Sequence, residues 1–216
     1  MSDTPFSDST SSTADVVTAV DFTGTTLTLT KQAGDDLTTT ISSSPPPFAF
    51  AQSDNTRKIE DTGYFENNAG SGTIIGGAEV TELSKTITPT SSSQKVLIHV
   101  TIFGEWDDKV RMAGCILKRT IGSGNPTLIQ PTISGNQMSI GGGFNIVYPV
   151  AESYSTPEMC NFVYVDSPNT TDTITYVPQV CHAQGNDFYL NFTKGNVNGV
   201  VYERGFSTMT LECKNV

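Results

Sequence analysis

The chain has little charge, and less of it is positive than negative. Of its 216 residues 16% are charged, and 12 Lys plus Arg face 22 Asp plus Glu for a formal charge of −10. Binding that neutralises phosphates needs a basic surface, so nucleic acid is excluded as a partner of that kind. An anionic membrane surface is repelled for the same reason. No apolar run approaches the roughly 20 residues of a spanning helix, so membrane insertion is not expected. Met1-Ser2-Asp3-Thr4-Pro5 lacks the basic start and apolar stretch of a secretion signal, which places synthesis in a reducing cytoplasm. The four cysteines, Cys115, Cys160, Cys181 and Cys213, have no CxxC or other metal-ligand spacing. Cys115 and Cys213 sit among apolar neighbours and read as small buried hydrophobes. No cofactor is implied.

What the chain has is Ser, Thr, Gly and Asn, which suit strands and turns better than helices. Lys95 to Phe103 and Val165 to Tyr176 alternate apolar and polar side chains with a period of two, as half-buried strands require. Beyond Glu79 the same reasoning gives strands at Val80–Thr88, Gln94–Phe103, Val110–Arg119, Thr127–Ile129, Gln137–Ile140, Phe144–Val150, Asn161–Val165, Ile174–Val180, Asp187–Phe192 and Gly205–Cys213. So many short strands without a helical period predict an all-β protein, an antiparallel β-sandwich of jelly-roll type. Pro178 inside one of them predicts an edge strand or an early strand end there.

Four segments are expected. Residues 1–15 are polar, with Phe6 as the one large apolar anchor, and read as an attachment arm. Residues 16–44 hold three short strands with turns at Gly24 and Gly34. Their thin apolar face, Val20, Phe22, Leu27, Leu29, Leu37 and Ile41, cannot form a core alone and is expected to pair with copies of itself. Residues 45–79 read as a linker, stiffened by Pro45-Pro46-Pro47 and loosened by the glycines from Gly70 to Gly77, with Phe48 and Phe50 set to dock it to a neighbour. Residues 80–216 form the sandwich.

Candidate chemistry is sparse. Glu105, Asp107 and Asp108 beside Trp106 have the residue types of a sugar site but lie between strong strands, as an acidic hairpin loop does. His99 faces the side of its strand opposite Val96, Ile98 and Val100, and neither it nor His182 has ligand partners at metal spacing, so each reads as structural or subunit-facing. Gly141-Gly142-Gly143 lacks the Lys and Ser or Thr of a phosphate loop. The Asn169 and Asn191 sequons carry no meaning without secretion. No catalytic or metal residue is assigned. Trp106, Tyr148, Tyr154 and Tyr202 are the aromatics expected at the surface for glycan stacking.

Three stretches carry a resemblance. Ile87-Thr88-Pro89-Thr90-Ser91-Ser92-Ser93-Gln94-Lys95-Val96-Leu97-Ile98, then Asp166-Ser167-Pro168-Asn169-Thr170-Thr171 with Thr175-Tyr176, then Ser207-Thr208-Met209-Thr210-Leu211-Glu212 resemble a β-sandwich module. It is found in virion surface and fibre proteins of cyanophage-type bacteriophages and related aquatic viruses. The segment from Val20 to Ile41 is similar to the Thr- and Gly-rich β units that precede such heads. The resemblance implies a homotrimeric virion protein, a head fibre, tail fibre or capsid decoration. It would be held to a capsid or tail protein through residues 1–44, with the sandwich outward for host attachment. The alternative is a carbohydrate-binding fibre tip or a polysaccharide depolymerase acting on a host surface glycan.

Overall fold

The computed structural model describes residues 17–23, 26–31, 46–60, 65–68, 71–74, 76–107, 113–129, 140–144, 157–182, 186–195 and 203–215; for 17–31 and 65–74 the backbone alone is described. The chain divides into two compact units, Met1–Pro45 and Pro46–Val216. In the first, β1 (Val17–Thr23) and β2 (Thr26–Lys31) form an antiparallel hairpin, as the turn expected at Gly24 requires. The third expected strand, Leu37 to Ile41, lies outside the described residues.

The second unit begins 34 residues before the predicted sandwich boundary of 80. Here β3 (Phe48–Ser53) and β4 (Arg57–Ile59) are strands of the sandwich rather than linker. A separate hairpin, β5 (Phe65–Asn68) with β6 (Ser71–Ile74), leads to β7 (Ala78–Glu79), a short turn of helix at Thr81–Leu83, and β8 (Lys85–Ile87). Three long strands and their short companions follow: β9 (Lys95–Trp106), β10 (Ala113–Ile121), β11 (Thr127–Ile129) and β12 (Gly142–Gly143), then β13 (Glu158–Asp166). The chain closes with β14 (Ile174–His182), β15 (Phe188–Leu190) and β16 (Ser207–Lys214).

All described pairings are antiparallel, and apart from the two hairpins they build two sheets with four strand positions each. In the first sheet β13 pairs one side of β9, and β16 and β15 share the other side end to end, with β3 and β4 beyond them. In the second, β10 and β14 are central, flanked by β11 with β12 on one side and by β8 with β7 on the other. The chain passes from β8 to β9 to β10, and again from β13 to β14 to β15, crossing between sheets at each step. That wiring is a jelly roll.

The register fixes which side chains meet. Val96, Ile98, Val100 and Ile102 of β9 are fully buried, as are Met209, Leu211 and Cys213 of β16 and Tyr176 and Val180 of β14. Each such large apolar side chain contributes about 1.5–3 kcal/mol relative to exposure. At one end the two sheets are tied by a polar contact. Asp166 of β13 accepts from Arg119 of β10 at 2.8 and 2.9 Å and from the Tyr176 hydroxyl at 2.7 Å. Burial first, and then that hydrogen bond, hold the Tyr176 hydroxyl protonated far above its ordinary range.

Pro178 is not at an edge. It lies inside β14, opposite Leu117 of β10, in a strand that runs on to His182. Its carbonyl accepts from Val80 at 2.8 Å, so its nitrogen points towards the same side, into the gap between β8 and β7. A proline costs no ladder bond where the neighbouring strand is interrupted.

The first sheet has a matching joint where β15 gives way to β16. Asn191, fully buried with φ of +63°, closes it. Its amide nitrogen donates to the carbonyls of Ser53 (2.9 Å) and Asn55 (3.0 Å), and its side-chain oxygen accepts from the Ser207 hydroxyl at 2.7 Å. The Asn191 backbone donates to Phe103 (2.9 Å), and the Phe103 amide donates to Ser207 Oγ (3.0 Å). Asparagine tolerates the left-handed backbone and satisfies the broken ladder in one step.

Candidate interaction face

The outward side of the first sheet is set by the same register. Successive rows across β13, β9, β16 and β3 read Val165–Leu97–Glu212–Phe48, then Val163–His99–Thr210–Phe50, then Asn161–Thr101–Thr208–Gln52. Below them Met159 lies opposite Phe103, with Phe206 just ahead of β16. Every large hydrophobic side chain that is exposed among the described residues belongs to this sheet: Phe48 (63% exposed), Phe50, Met159, Val163 (55%), Tyr164, Val165 and Phe206. The distribution within the face is uneven. The two rims, β3 and β13, are apolar in the upper rows, whereas β9 and β16 between them carry His99, Thr101, Thr208, Thr210 and Glu212.

Local structure explains each rim. On β13 Val163, Tyr164 and Val165 are all exposed, since Tyr164, though on the inward side, sits where the strand has no partner beyond it. On β3 alternation sends Ala49 and Ala51 inward and Phe48 and Phe50 outward. Gly205 allows the lower row: a Cβ there would lie 2.6 Å from the Phe103 ring. A long, apolar edge strand without Pro or Lys is one that soluble proteins normally cover.

The outward side of the second sheet differs. Ile116 of β10 and Cys181 of β14 are fully buried there, packed with Leu128 of β11 and Ile140 just ahead of β12. Val177 and Gln179 are buried on that side too, and Lys118 pairs with Glu79.

The residues singled out from the sequence fall as follows. His99 lies exposed at the centre of the first sheet's outer face, on the side expected. Trp106 is not a surface platform. It is 4% exposed and packs against Phe188 (ring centroids 4.8 Å apart), His182 (5.3 Å) and Phe144 (5.5 Å). Glu105 is not in a loop either: it is buried within β9 and accepts from the Lys194 amide, while Asp107 pairs with the Lys194 ammonium. His182 ends β14 and accepts from the Asn186 amide at 3.4 Å. Tyr148, Tyr154 and Tyr202 lie outside the described residues, as do Phe6, Leu37 and Ile41. Val20, Phe22, Leu27 and Leu29 lie in strands whose side chains are not described.

All four cysteines are free and buried. Burial holds the Cys115 thiol well above its ordinary range and pushes Cys181 up to about 12, so neither is a nucleophile near neutral pH. Among the described residues no group of three His, Cys, Asp or Glu is placed to hold a metal ion, and no helix is long and apolar enough to cross a membrane. Comparison with known proteins found no matching family model and no matching curated protein.

The sequence reading missed the β13 rim. Phe162-Val163-Tyr164-Val165 is four apolar residues in a row, which in a strand means that both faces are apolar. That signal was present and pointed to an apolar outer face.

Proposed function

We propose that this chain is a structural building block of a virus particle, a homotrimeric fibre or capsid-surface protein whose sandwich packs against copies of itself. The single observation that supports an assembling role is the bare apolar face of the first sheet. Exposed apolar patches of this kind mark association sites. The formal charge of −10 makes copies repel at long range, so association needs uncharged contact area, and the two rims of this face carry none of the charge. The viral setting follows from the sequence resemblance, as does the number three. Residues 1–44 would anchor the assembly to a capsid or tail protein, and the sandwich would face outward for attachment to the host. The carbohydrate readings have no comparable support: of the four aromatics they use, Trp106 is buried, and Tyr148, Tyr154 and Tyr202 lie outside the described residues.

The test is particle association. Expressed during infection, the full chain should co-sediment with intact particles and be labelled on them by antibodies against the sandwich. Residues 46–216 alone should fold and stay in the soluble fraction. A full chain that never joins particles would overturn the reading.

A further inference from the structure

The rims of the first sheet are separated by two strands whose outward side chains are mostly polar, with Leu97 and Phe103 of β9 the apolar exceptions, and that separation says how copies would meet. In a face-to-face pair the middle of the sheet is the most deeply covered part, and interface cores are depleted in polar and charged groups. Here the middle holds His99, Thr210 and Glu212, while Phe48 and Phe50 occupy one edge strand and Val163, Tyr164 and Val165 the other. The two patches are different in composition and lie on opposite sides of one protomer. Two unlike patches suit a head-to-tail contact, in which each copy uses both and the assembly closes as a ring.

We infer that the β3 rim of one copy seats against the β13 rim of the next, with β9 and β16 facing the ring axis. The inference rests on the assembling role proposed above. Its occupant is a second copy of this chain: the bare surface is uncharged on both rims, and like-charged copies have no other described surface of that kind. Sheet width favours three. Four strands spaced about 4.8 Å apart are roughly 19 Å wide, and three such sheets around an axis stand about 5.5 Å from it. That is about one layer of side chains, half the roughly 10 Å between packed sheets. Four sheets would stand about 9.5 Å away and leave the axis open. Leu97, His99, Thr101, Thr208, Thr210 and Glu212 are then the side chains that face the axis, and Phe103, Met159 and Phe206 lie at its lower end.

The experiment uses residues 46–216, a compact unit with its own core, so that the N-terminal strands contribute nothing to association. One variant carries Phe48→Asp and Phe50→Asp, the other Val163→Asp and Val165→Asp. Phe50→Thr and Val163→Thr serve as milder versions that a strand accepts, and circular dichroism confirms that each is folded. Masses are measured by sedimentation equilibrium, singly and in equal mixture. The unaltered chain should have the mass of three, and each Asp variant alone the mass of one. Their mixture should have the mass of two and never three, because a single unaltered contact remains. Each Thr variant should weaken association about 30-fold, as loss of a central contact does. A ring is refuted if either Asp variant keeps the unaltered mass, or if the mixture yields no pairs. If the unaltered unit is itself a single chain at all concentrations, the assembling role of the face falls together with the ring.

Discussion

The two sheets of the sandwich share a core but treat their outer faces in opposite ways. The second sheet buries Ile116, Cys181, Val177 and Gln179 on its outward side under the chain's own segments, with Leu128 and Ile140 packed there. The first leaves Phe48, Phe50, Met159, Val163, Val165 and Phe206 in solvent. A single protein thus shows both solutions to an apolar outer face. One is covered within the chain, and the other is left in solvent.

Substitutions on the two faces should therefore fail differently. Ile116→Asp buries a carboxylate without a partner and should cost about 4 kcal/mol or more, seen as a chain that is largely unfolded by circular dichroism. Val163→Asp, at dilution where chains are separate, should change unfolding free energy by less than about 0.5 kcal/mol. Equal effects from the two would erase the distinction between the faces.

The joint beneath the bare face comes next. Asn191→Ala removes three side-chain hydrogen bonds and places a Cβ-bearing residue less suited to φ of +63°. We expect a loss of about 3 kcal/mol in denaturant unfolding. Gly104→Ala should cost about 2 kcal/mol, since its methyl would collide with the Phe188 ring and the Tyr189 carbonyl. A neutral result at Asn191 would mean that β15 and β16 do not need their bridge.

The most gradual effect is alkaline. Burial raises the folded pKa of Cys181 to about 12, whereas the unfolded thiol titrates near 9. The folded state then holds its proton more tightly, so stability is complete below pH 9 and declines as pH rises towards 12. The decline from this group is about 1.4 kcal/mol per pH unit, and Cys181→Ala should flatten that part of a melting-temperature profile. An unchanged profile would show that the covered face admits water.

The core was legible in part because period-two alternation from Lys95 to Phe103 reports β9 directly, whereas Val165 to Tyr176, read the same way, is the end of β13, a connection over 167–173 and the start of β14. The jelly-roll class followed from strand number and spacing. Three features resisted for physical reasons. Pro45-Pro46-Pro47 punctuates the chain at the unit boundary, yet an extended backbone after prolines is equally a strand entry, so β3 and β4 were taken for linker. Pro178 misled because sequence shows a missing donor but not that the neighbouring strand is interrupted opposite it. Trp106 looked exposed among acidic neighbours, but alternation continues through Glu105 and carries the indole inward. The β13 rim was written in Phe162-Val163-Tyr164-Val165 and went unread; the β3 rim was anticipated in Phe48 and Phe50 as neighbour-facing aromatics.

The central claim is that the bare side of the first sheet belongs against other copies of this chain. Sedimentation equilibrium of residues 46–216 tests it most directly, at concentrations up to the order of 100 μM. The account predicts the mass of three chains; a single-chain mass throughout that range would contradict it.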